Sequence, residues 1–227
     1  MDKAKLASFL DLANHRQDAT PQEIKALCQQ VKKYGFNSAF VNPCFVSLAR
    51  KFLGDEGKVG TVVSFPLGQD TLDVKIIASM DAIRSGADEL DICMNVGFFK
   101  GGEKEQAGEE MELIVQASRN IRKNIIIKFI IETGCLTSEE IKEASLLVLS
   151  SGADFVKTCS GMGPRGATLK DVKLIREAVG KKIKLKVAGG ITSMTKAIDF
   201  IYAGVDRIGT SHAVEIVEEM LKNKREA

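Results

Sequence analysis

The chain has 227 residues, 44% of them apolar and 27% charged, the balance of a soluble globular protein and a length that suits one domain over residues 1–227. Its 32 basic and 30 acidic side chains leave a net charge of +2, which gives no footing for a nucleic acid or an anionic membrane surface. No apolar run reaches membrane-spanning length, and the short basic run Lys181-Lys182-Ile183-Lys184 reads as a solvated edge. Met1-Asp2-Lys3-Ala4-Lys5 leads into an amphipathic stretch without the apolar core of a signal peptide. Five cysteines (Cys28, Cys44, Cys93, Cys135, Cys159) are scattered and odd in number, so a cytoplasmic protein with reduced thiols is expected. The only histidines are His15 and His212 and there is no Cys-x-x-Cys pair, so neither a metal nor another cofactor is expected. The chemistry falls to lysines and carboxylates.

Short apolar runs alternate with amphipathic stretches along the whole chain. The first strand is expected at 8–13, where Leu10 and Leu12 face helices while Asp11 and Ala13 face the opposite way. Asp18-Ala-Thr-Pro21 opens a helix over 21–33. Strands at 37–42 and 59–65 follow, then a helix over 72–86 that ends on Gly86. In the fourth strand, 89–95, Leu90, Ile92 and Met94 take one parity and Asp91, Cys93 and Asn95 the other. The fifth, 125–132, turns Ile125, Ile127, Phe129 and Ile131 outward and Lys128 and Glu132 inward. Thr137-Ser-Glu-Glu140 opens a helix over 137–151, closed by Gly152. On the sixth strand, 154–159, Phe155, Lys157 and Cys159 share the inward face. After a helix over 169–179, the seventh strand, 184–189, packs Leu185 and Val187 outward with Lys186 and Ala188 inward. A helix over 193–203 closes at Gly204, and the eighth strand lies at 206–211.

Eight strand–helix units without a break in composition predict an α/β fold, a single-domain (β/α)8 barrel. A doubly wound open sheet is the alternative, but it would leave both end strands needing cover. The barrel interior then carries Asp11, Asp91, Lys128, Glu132, Lys157 and Lys186. Any one of them alone reads as half of an internal ion pair. Together, in a barrel whose interior is ordinarily filled by branched apolar layers, they read as catalytic. Lys128 and Glu132 are expected to pair in support of the site, Cys93 and Cys159 to fill space, and His15 to lie on a surface loop.

Gly86-Ala-Asp-Glu-Leu-Asp91, Ile130-Ile-Glu-Thr133, Gly152-Ala-Asp-Phe-Val-Lys157-Thr and Lys186-Val-Ala-Gly-Gly190 occur in an order that resembles the deoxyribose-phosphate aldolase family. Val41-Asn-Pro43, Ser64-Phe-Pro-Leu-Gly68 and Gly166-Ala-Thr168 fit the same family, so the resemblance runs from about residue 10 to residue 211. It implies a class I, Schiff-base aldolase that reversibly splits 2-deoxy-D-ribose 5-phosphate into acetaldehyde and D-glyceraldehyde 3-phosphate, and a homodimer. It also implies that Lys157 forms the imine, Lys186 is the second active-site lysine and Asp91 the acid/base carboxylate. The chemistry agrees. A lysine attacks a carbonyl only when neutral, and burial beside another ammonium favours the neutral form. Two alternatives stand: a lysine aldolase of the same barrel acting on another phosphorylated sugar, and a retired barrel that only binds sugar phosphates. Retention of Asp91, Lys157 and Lys186 together argues against the second.

Barrel enzymes often hold phosphate at the ends of strands seven and eight, through backbone N–H groups. Ser160-Gly161, Gly189-Gly190 and Gly209-Thr-Ser211 occupy such ends, and Asp11 is expected beside them as a supporting carboxylate. Against the family, Met162 stands where some members carry a phosphate-contacting lysine, and His212 where many carry serine. Arg165 either supplies the missing charge or is a solvent-exposed loop residue. Ala13 replaces a pocket threonine in Asp11-Leu-Ala13-Asn-His15-Arg16, which puts substrate identity, rather than the catalytic groups, in question.

Overall fold

In the computed structural model, which describes residues 1–223, eight parallel strands hydrogen-bond in chain order, and β1 pairs with both β2 and β8 to close a barrel. The strands are β1 (Leu10–Asn14), β2 (Ser38–Val41), β3 (Lys58–Val63), β4 (Glu89–Cys93), β5 (Ile126–Ile130), β6 (Phe155–Lys157), β7 (Lys184–Ala188) and β8 (Arg207–Thr210). Around them run helices α1 (Lys3–Phe9), α2 (Pro21–Tyr34), α3 (Val46–Leu53), α4 (Leu72–Arg84), α5 (Val96–Lys100), α6 (Lys104–Ile121), α7 (Ser138–Ser150), α8 (Leu169–Val179), α9 (Met194–Tyr202) and α10 (Ala213–Asn223). Several strands are shorter than expected, the sixth spanning Phe155–Lys157 rather than 154–159, and the first begins later. Residues 8 and 9 belong to α1, because Asp2 accepts a hydrogen bond from the Lys5 backbone N–H and starts a helix there.

Helix starts follow from local chemistry. Thr20 with Glu23, Thr137 with Glu140, and Thr168 with Asp171 form reciprocal capping boxes, and Pro21 takes the first helical position of α2. The outward strand residues, among them Leu10, Leu90, Ile92, Ile127, Leu185 and Val187, are buried beneath the helices in one continuous apolar core. Among the described residues no helix is long and apolar enough to cross a membrane.

The floor of the barrel is fastened by a repeated device. Gly35-Phe-Asn37, Gly86-Ala-Asp88, Gly152-Ala-Asp154 and Gly204-Val-Asp206 each precede an even-numbered strand, and each of the four glycines has a positive φ. Asp88, Asp154 and Asp206 each accept the backbone N–H of the preceding strand, from Val59, Ile127 and Leu185 at 2.9, 2.8 and 2.8 Å. Each also holds an arginine from a neighbouring helix: Arg50, Arg119 and Arg176 respectively. Asn37 departs in both direction and partner, its side-chain amide donating to Asp11 of β1 at 3.0 Å.

Candidate active site

Strand parity delivers the charged residues to the barrel axis, and register sets their neighbours. Asp91 lies beside Lys128, Lys157 beside Lys186, and Lys186 beside Arg207. Asp91 is the hub. Its Oδ2 accepts a hydrogen bond from Lys157 at 2.8 Å and is ion-paired with Lys186 at 2.9 Å, and its Oδ1 accepts from Lys128 at 2.9 Å. Lys186 also reaches Asp11 at 2.7 Å, and Lys128 reaches Glu89 at 2.6 Å. Asp11 is held in turn by Arg207 at 2.6 Å and by the Ser38 hydroxyl at 2.6 Å. The ring of Phe40 packs against the network, with Lys186 Nζ 3.5 Å from its centroid and Lys128 Nζ 4.7 Å away. Gly60 makes room for that ring, since a Cβ there would sit 2.3 Å from it.

These contacts set the charges. Burial pushes the Asp91 carboxyl upward, but Lys128, Lys157 and Lys186 together hold it well below the usual carboxylate range. Burial works against the Lys128 ammonium as well, yet Asp91 and Glu89 raise it above an ordinary lysine. For Lys186 burial prevails over Asp11 and Asp91, and its pKa is lowered. Burial drives the Cys93 thiol up to about 12 and raises Cys159 too, which leaves both as space fillers rather than nucleophiles.

A cavity of about 520 Å³ opens above the network at the C-terminal ends of the strands. Lys157 and Lys186 form its base, and Ser160, Gly161, Gly189, Gly190, Gly209 and Ser211 line its wall, so the expected rim residues do come together. Gly161, Gly189 and Gly190 have φ of 90°, 90° and 72°, a conformation that leaves their backbone exposed to a ligand. Gly209 sits deeper than expected, where a Cβ would lie 3.0 Å from the Lys186 side chain. Its bareness clears the path of that lysine. Asp11 also lies below the cavity and acts on Lys186 rather than on a ligand.

Three expectations are corrected. Lys128 does not pair with Glu132: four residues along a strand span roughly 13 Å, and Lys128 turns to Glu89 and Asp91 instead. Glu132, at a positive φ of 51°, accepts the Ser160 backbone N–H at 3.0 Å and so shapes the loop after β6. Arg165 is neither a phosphate ligand nor a free loop residue, because it forks onto Asp171 at 2.6 and 2.9 Å and donates to the Thr133 carbonyl. His15 is not on the outer surface. It lines the cavity, its ring 5.3 Å from that of Phe65 and 6.5 Å from that of Phe40. Two members of the network, Glu89 and Arg207, had gone unread, although each shares the parity of the inward residues on its strand.

Comparison with known proteins agrees with this geometry. The family model of the DeoC/LacD family aldolases matches residues 7–210. A deoxyribose-phosphate aldolase of Thermoanaerobacter sp. (strain X514) is 43% identical over 220 residues, covering 96% of this chain and 98% of its own. One from Thermococcus kodakarensis is 40% identical over 221 residues, covering 96% and 98%. Among solved structures, the aldolase QR15 superposes with a TM-score of 0.90 at 37% identity over 97% of both chains. A tetrameric deoxyribose phosphate aldolase from Aeropyrum pernix gives 0.90 at 27% identity, over 98% of this chain and 93% of its own.

Proposed function

Because the chain belongs to the DeoC/LacD aldolase family, we propose that it cleaves 2-deoxy-D-ribose 5-phosphate reversibly, with Lys157 as the imine-forming nucleophile. One observation carries the assignment of the nucleophile. The buried network contains four basic groups, Lys128, Lys157, Lys186 and Arg207, and three carboxylates, Asp11, Glu89 and Asp91. Its charges balance when one base is neutral. Lys128 and Lys186 each hold two carboxylates, whereas Lys157 holds only Asp91 and borders the cavity. Lys157 is therefore the lysine of the network least committed to carboxylates and open to the cavity.

In this reading Lys157 Nζ adds to the aldehyde carbon, and loss of water leaves an iminium. The C2–C3 bond then breaks, its electron pair flowing through C2 into the iminium, while the substrate's 3-hydroxyl passes its proton to the water bound at Asp91 and D-glyceraldehyde 3-phosphate departs. The enamine left on Lys157 then takes a proton on carbon, and water releases acetaldehyde. Asp91, through a bound water and with Lys186, moves that proton. Backbone N–H groups at Gly189–Gly190 and Ser211, beside the start of α10, would hold the phosphate. The iminium withdraws electrons as a Lewis acid would, so the scheme needs no metal or organic cofactor. A homodimer in the cytoplasm belongs to the same reading, with light scattering to measure the assembly. To test the nucleophile, the enzyme is incubated with acetaldehyde, reduced with borohydride and mapped by mass spectrometry. The label is expected on Lys157; label on Lys186, or none, overturns the reading.

A further inference from the structure

His15 is the residue of the cavity that the proposed chemistry does not use. It follows β1, and its ring is wedged between Phe40 and Phe65 at fixed angles. Its Nδ1 is shielded from solvent and has no hydrogen-bond partner. A buried polar atom left unpaired is costly, and native structures hold few of them. One that borders a ligand cavity has an obvious partner in the ligand.

The ring is also held neutral. Burial first, then the charges of Lys157 and Lys186, lower its pKa to about 3 against the pull of Asp91. A base that weak transfers no proton usefully near pH 7. A neutral imidazole does offer one donor and one acceptor. Position decides what it meets. The cavity runs from Lys157 and Lys186 to the turns at Gly190 and Ser211, and His15 and Ala13 line it along β1, which borders β8. Ala13, next to it on that wall, presents only a methyl group.

We propose that His15 is a specificity-determining residue, a hydrogen-bond partner for the substrate's 4-hydroxyl, the one nearer the phosphate. In the synthetic direction this is the 2-hydroxyl of the acceptor aldehyde. The enzyme thereby selects 2-hydroxyaldehydes over their deoxy counterparts by a group other than the side chain at position 13. The inference rests on the aldolase reading given above, and its test separates the two.

Wild-type enzyme, His15→Leu and His15→Asn are compared in aldol addition of acetaldehyde to D-glyceraldehyde and to 3-hydroxypropanal, which differ by that one hydroxyl. The ratio of the two kcat/KM values is expected to fall roughly threefold to tenfold in His15→Leu, the range one neutral hydrogen bond supplies. His15→Asn, which keeps a donor and an acceptor, is expected to restore part of it. If wild-type enzyme traps no imine with acetaldehyde, the aldolase reading fails. If it does, and His15→Leu lowers both acceptors equally or leaves the ratio unchanged, His15 has no role in recognising that hydroxyl and the inference is overturned.

Discussion

Replacing Gly60 with alanine probes the aromatic packing that holds the lysines in place. Gly60 of β3 lies beside Phe40 of β2, and a Cβ built there meets three atoms of the ring at 2.3, 2.4 and 2.5 Å. Carbon atoms prefer about 3.5–4.0 Å, so the ring must move by more than 1 Å or the strands must part. A ring displaced towards the network meets Lys186 Nζ, 3.5 Å from its centroid, and Lys128 Nζ, 4.7 Å away. Gly60 is not among the glycines at positive φ, so alanine suits its backbone and would by itself stabilise the fold by about 0.4–1 kcal/mol. Overpacking a tight core costs about 1–3 kcal/mol. The net loss centres on about 1.3 kcal/mol, which for a chain of this size lowers Tm by about 3–5 °C. Turnover should fall as well, since a displaced ring presses on Lys186. Thermal unfolding and steady-state cleavage kinetics read both effects, and Phe40→Leu in the Gly60→Ala background should recover much of each. A Gly60→Ala enzyme with unchanged Tm and turnover would refute the claim that the ring fixes the network.

Lys186→Leu should abolish turnover while the chain still folds with reduced stability, because Asp11 keeps Arg207 and Ser38 as partners; near-normal activity at pH 7 would contradict its role. Ala13→Thr should raise kcat/KM on 2-deoxy-D-ribose 5-phosphate several-fold by restoring a pocket hydroxyl, and a decrease would point to another phosphorylated sugar. His15 has a folded pKa of about 3 against an ordinary 6.5, so between those values the unfolded chain binds a proton that the folded one refuses. Stability should therefore drop as pH falls through that window, by at most about 1.4 kcal/mol per unit, and His15→Leu should lose that slope in urea titrations at pH 7 and pH 4.5.

Period-two patterning made the barrel and most of its interior readable. In Leu90-Asp91-Ile92 and Leu185-Lys186-Val187 a charged residue sits between two that pack on helices, and the fold obeys that alternation. Glu89 and Arg207 were equally inward by parity. They stand at the first position of their strands, where a charge ordinarily reaches solvent, and only the pairing of strands across the barrel gives each a partner. Partner choice was illegible for the same reason. Lys128 meets Glu89 and Asp91 through the register of β4 on β5, which no spacing within one strand expresses. His15 was misplaced because its surroundings, Phe40 and Phe65, come from segments remote in sequence. Arg165 was misplaced because Asp171, its anchor, also serves as the capping-box acid of α8.

The four Gly-x-Asp or Gly-x-Asn clamps divide the molecule's labour between its two ends. Three of them tie the start of one strand to the next and to a helix, and Asn37 ties β2 to β1, so none depends on the loops around the cavity. A structure braced in this way can exchange its mouth while its foundations stay put. Ala13, His15, Met162 and His212, the positions that mark this chain out, all line that mouth. Loops transplanted there from relatives should fold on the same base, making the upper edge a ground for drift in substrate choice and the lower one the reason such drift is survivable.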